Sequence, residues 1–93
     1  MQMSVHNMME ELVTDCLKEV LNRHADLETQ LDSKAQSDVK AIALNHLPPR
    51  YVATAKGEVF TKTQLRTQHE SDVFQEIYRA VEKVLGAERK TDF

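Results

Sequence analysis

The chain has little cysteine, glycine or proline. Its 93 residues contain 1 Cys, 2 Gly and 2 Pro. A single thiol excludes an intrachain disulfide and a zinc site built from several cysteines of one chain. So few glycines and prolines leave little material for a loop-rich or many-turned β fold. Apolar runs are short as well. None approaches the roughly 20 residues of a membrane span, and no signal-peptide core follows the first residues, so a cytoplasmic protein without a membrane partner is expected. Positive charge is in deficit too. The chain sets 12 Lys and Arg against 15 Asp and Glu, a net charge of −3. That argues against direct nucleic-acid binding through bulk charge.

What is present suffices for one domain over residues 1–93, with 41% hydrophobic and 29% charged residues. The charge is unevenly spread. Residues 1–49 sum to −4, residues 50–66 to +3 and residues 67–93 to −2. The basic island holds Arg50, Lys56, Lys62 and Arg66 against Glu58 alone. A local positive field of this size suits a small anion better than a long polyanion, although solvated loop lysines produce the same sum.

Periodicity predicts a mainly α fold: a small bundle of three to four helices, with a short β-hairpin or extended loop after a diproline turn. A first helix is expected over about 5–23, where Val5, Met8, Met9, Leu12, Val13, Cys16, Leu17, Val20 and Leu21 recur at steps of three and four. Ser4, or Asn7 with Glu10, would cap it. The apolar stripe is wide enough to predict a helix gripped from two sides, with a second chain as one partner, hence a homodimer. Residues 24–36 read as a polar connection pinned by Leu27 and Leu31. A second helix from Ser33 or Ser37 to His46 is stopped by Pro48 and Pro49. Residues 50–63 are strand-prone around a Lys56-Gly57 turn. A last helix begins at the Thr67/Glu70 capping pair, buries Val73, Phe74, Ile77, Tyr78, Val81, Val84 and Leu85, and ends at Gly86.

No nucleophile elbow, phosphate-binding glycine loop or paired-carboxylate signature is present, so no catalytic residue is assigned. His6, His24, His46 and His69 are scattered with no pair four apart, and Cys16 lies on the apolar stripe, so no metal site or cofactor is expected. The informative stretch is Ala43 to Val52. It is a helix end, a rigid diproline turn, then a cation and a phenol. Arg50 offers a planar fork for phosphate or a purine face. Tyr51 offers a ring and a hydroxyl, and Asn45 a base-edge amide. Each has a plain structural reading beside it: Tyr51 in the core, Asn45 at a helix terminus, Arg50 in a surface ion pair.

Leu44-Asn45-His46-Leu47-Pro48-Pro49-Arg50-Tyr51-Val52 resembles the signature of the ComFB family, named for late competence development in Gram-positive bacteria. Asn7 to Val13, Lys56 to Val59 and Ala80 to Val84 resemble the family's first helix, Gly-Glu turn and closing helix, so the likeness spans about residues 5–85. The resemblance implies a small helical homodimer acting as a signalling receptor for cyclic dinucleotides, cyclic di-GMP or else cyclic di-AMP. Some members bind zinc through paired cysteines between the first two helices. Residues 24–36 hold no Cys here, so that site is not carried over. The expected ligand-binding set is Asn45, Arg50, Tyr51, Lys56, Lys62 and Arg66. The alternative is an interaction adaptor, a dimer whose basic island meets an acidic regulatory protein without any nucleotide. A phosphodiesterase would need metal ligands or an acid–base pair that the sequence does not offer.

Overall fold

The computed structural model describes residues 6–52 and 55–90, with side chains described over 7–51 and 62–86. The order of elements is β1 (His6–Asn7), α1 (Met8–Arg23), α2 (Ala25–Gln30), α3 (Ser33–Asn45), β2 (Tyr51–Val52) and α4 (Ala55–Lys90). The protein is mainly helical, as expected. At about 1.5 Å per residue, the 36 residues of α4 span roughly 54 Å, which accounts for the 53 Å long axis of the molecule.

Helix α1 starts where Asn7 accepts a hydrogen bond from the Met9 N–H at 3.1 Å, with Glu10 and Glu11 in the first turn against the positive end of the helix dipole. Ser4 and Val5 lie outside the described residues; the helix begins at Met8, and His6–Asn7 are extended. Asp32 caps α3 by accepting from the Ala35 N–H at 2.8 Å. The connection between them holds one short helix, α2, which buries none of its residues. Leu31 beyond it is buried and pins the connection to the core.

The core forms where α1, α3 and α4 pack against one another, with α4 in extensive contact with both of the others. Met8, Met9, Leu12, Val13, Cys16, Leu17 and Val20 of α1 are all buried, against Ala35, Val39 and Ala43 of α3 and Val73, Ile77, Ala80, Val81 and Val84 of α4. The wide stripe is therefore covered from two sides, by two helices of the same chain. It gives no reason of its own for a second copy. Where α1 turns into α2, His24 Nε2 lies 3.0 Å from the Tyr78 hydroxyl and the Arg23 guanidinium sits 5.8 Å from the Phe74 ring centre.

The segment after the prolines differs from the expectation. Tyr51–Val52 are extended, but they pair antiparallel with His6–Asn7 rather than with residues 59–63, and the chain is helical from Ala55. No hairpin forms around Lys56-Gly57. Strand propensity yields here to long-range packing. Continuing the helix upstream places Leu65 eight residues before Val73 on the same face, and Leu65 is buried. The Thr67 hydroxyl does not cap a helix start; it donates back to the Thr63 carbonyl at 3.1 Å within α4. Nor does Gly86 end the helix, which runs to Lys90. A glycine stops a helix by turning to positive φ, and no described glycine does so. Cys16 is buried, and burial pushes its thiol up to about 11.

Candidate functional site

The diproline corner is built by a shortage of donors. Helix α3 ends at Asn45, and the His46 and Leu47 N–H groups close the last turn onto Ala43 and Leu44. Pro48 and Pro49 have no N–H to donate, so the next backbone donor is Arg50. Its N–H donates to Asn7 Oδ1 at 2.8 Å, and its carbonyl accepts from the Met8 N–H at 2.6 Å. Asn7 Oδ1 thus accepts two bonds, capping α1 and fixing the corner. The rigid prolines and this double anchor hold the Arg50 backbone at the start of β2, with its side chain exposed.

Beside the corner lies a recess of about 170 Å³. Pro48, Pro49 and Arg50 form one wall, Gln64, Gln68 and His69 of α4 another, and the buried Met9 and Leu65 line it from the core side. Among the described residues, the Arg50 guanidinium has no ion-pair partner, and the Gln64 and Gln68 amides have no hydrogen-bond partner. A larger groove of about 530 Å³ runs between α3 and α4, lined by Ile42, His46, Glu76, Arg79, Glu82 and Lys83. Its charges are mixed in sign, and Arg79 is paired with Glu76 at 3.0 Å.

The basic island is not one cluster. Lys62 Nζ lies 3.0 Å from Asp15, which raises the lysine above its usual range. Arg66 Nη2 lies 2.7 Å from Glu19 and its Nε 3.2 Å from Glu70; the bond to Glu19 chiefly raises it. These two cations clasp α4 to α1. The second oxygen of Glu19 is buried without a partner. Two residues along an α-helix are about 200° of rotation, so Lys62 and Arg66 stand nearly opposite Gln64 and Gln68. The corner and the clasp are therefore different faces. Asn45 is exposed at the end of α3, and Tyr51 is 65% exposed beside Arg50. The side chain of Lys56 lies outside the described ones.

Asn7's second bond, Gln64, Gln68 and His69 escaped the sequence reading. The signal for the last three is the i, i+4 spacing of 64 with 68 and 65 with 69, which appears only once the helix is extended upstream of Thr67. Among the described residues, no three His, Cys, Asp or Glu side chains group as metal ligands would. No described helix is long and apolar enough to cross a membrane.

The family model for late competence development protein ComFB matches residues 6–87. The chain belongs to the ComFB family. The matched segment takes in the Asn7 cap, the diproline corner and the α4 wall of the recess. In this ComFB-family chain the diproline signature and the first helix therefore meet at one side chain, that of Asn7. Comparison with curated proteins returned no match.

Proposed function

We propose that this ComFB-family chain is a non-enzymatic signalling receptor for a cyclic dinucleotide, cyclic di-GMP first among them. The observation that carries this is the Arg50 guanidinium: a cation without an ion pair among the described residues, anchored through its backbone by Asn7, at the rim of a recess. A phosphate is the natural partner for an exposed planar fork of donors. Tyr51 and Asn45 flank the prolines in the chain and are exposed, though neither lines the recess.

Size supports a two-fold arrangement. Small-molecule sites usually measure about 300–1,000 Å³, and the recess offers about 170 Å³. One protomer does not enclose a whole cyclic dinucleotide. A ligand with two-fold symmetry bridging two copies of the corner would be held by both, which makes a homodimer part of the proposal. Lys62 and Arg66 contribute to the field around α4, but a phosphate reaching them would have to displace Asp15 and Glu19. The adaptor alternative, a basic island meeting an acidic partner, drew on the wide α1 stripe and the small size of the chain; the stripe is covered within the chain by α3 and α4, so it lends that alternative no support.

Calorimetric titration of the folded protein at tens of micromolar with cyclic di-GMP and cyclic di-AMP is the test. Binding heat with either supports the proposal, and silence with both overturns it. Arg50→Ala is expected to weaken binding by about 1.5–3 kcal/mol, the range for a hydrogen bond to a charged group.

A further inference from the structure

We infer that the recess beside the diproline corner takes a single purine base, with Gln64 and Gln68 reading its edge and Arg50 holding the attached phosphate. The inference deepens the proposed function and rests on its assignment of a ligand to this corner. Volume is the first reason: about 170 Å³ admits a planar ring system and little more. Chemistry is the second. The core side of the recess is apolar, with Met9 0% and Leu65 4% exposed, and Pro48 and Pro49 present ring faces without donors. A flat heterocycle needs such surfaces above and below it.

The polar lining is the third reason. Gln64 and Gln68 are four residues apart, so their Cα atoms are roughly 6 Å apart along one face of α4, and both side chains line the recess. Each amide brings one acceptor and two donors, without charge. An anion alone would be better served by lysines. A purine edge carries donors and acceptors within a few ångströms of one another, and neutral amides, which offer both, can complement it. Both glutamines are exposed and lack partners among the described residues, so their hydrogen bonds are available to a ligand. Arg50 at the rim then meets the phosphate carried by the same nucleotide.

The test is an amide-resolved NMR titration with millimolar 5′-GMP and 5′-AMP, with ribose 5-phosphate as the base-free control. At least one nucleotide should shift the resonances of Arg50, Gln64, Leu65, Gln68 and His69, and ribose 5-phosphate should not. The double variant Gln64→Leu, Gln68→Leu should bind that nucleotide at least about tenfold more weakly, the loss of one or two hydrogen bonds. Both positions are exposed and leucine is a good helix former, and the variant's own spectrum reports whether it is folded. Absence of shifts with both nucleotides, equal shifts with ribose 5-phosphate, or an unchanged affinity in the folded double variant would each overturn the inference. Cyclic di-GMP binding with shifts elsewhere would remove the base recess and leave the receptor standing. Nucleotide shifts here with silent cyclic-dinucleotide calorimetry would do the reverse.

Discussion

The two ends of α4 are held by different forces. Toward its C-terminal end, Val73, Ile77, Ala80, Val81 and Val84 are buried between α1 and α3. Over residues 62–70, Leu65 is the one buried side chain, and the grip on α1 comes from Lys62 on Asp15 and Arg66 on Glu19. Burying an aliphatic side chain contributes about 1.5–3 kcal/mol, whereas an exposed ion pair contributes about 0–1 kcal/mol. One end of the helix therefore supports the fold. Residues 62–70 keep all but Leu65 out of the core, and Gln64, Leu65, Gln68 and His69 among them wall the recess. The fold can afford polar residues at 64, 68 and 69 because the apolar work is done farther along.

Substitutions can break this contrast. Ile77→Ala should lower the unfolding free energy by about 2–5 kcal/mol in urea titration. A loss near zero would mean that the C-terminal end is not the structural one. The buried thiol gives the next effect. Folded Cys16 keeps its proton up to about 11, while the unfolded thiol loses it near 9. Above pH 9 the unfolded state binds fewer protons, so stability should fall as pH rises toward 11, on the order of 1–2 kcal/mol. Cys16→Ala should lose less over the same interval, and an identical pH curve would remove the thiol as the cause. Asn7→Ala deletes the α1 cap and the Arg50 tether together, and should cost about 0.5–2 kcal/mol by thermal or urea melting. The smallest change is expected at the clasp. Lys62→Gln should shift stability by no more than about 1 kcal/mol, and salt should shrink that difference. A larger loss that persists in high salt would show that the N-terminal end of α4 matters to the core after all.

The sequence showed α1 and α3 well because their apolar residues recur at helical steps and their ends carry Asn7, Asp32 and the prolines. It hid the start of α4. Val59, Phe60, Thr61 and Thr63 look like a strand when only near neighbours are considered, and Lys56-Gly57 looks like its turn. What decides the matter is Leu65 in register with Val73 and Ile77, a relation that gains meaning only once α1 is packed beside it. Arg50 was legible because the prolines draw attention to it. The glutamines were not, since their common face requires the helix that the strand-like run concealed. The net charge of residues 50–66 was readable as a number but carried no directions. Its cations turn out to serve two faces, and Lys62 and Arg66 are answered by acids on a helix more than forty residues earlier in the chain.

Asn7 gives one carbonyl oxygen to two donors, the Met9 and Arg50 N–H groups. Residues that begin helices equally well are therefore not interchangeable at this position. A serine hydroxyl is shorter; it would suit the first turn of α1 yet leave the loop 43 positions away without its staple. The composition of a single side chain thus ties how the protein starts its first helix to how it presents an exposed cation beside the prolines.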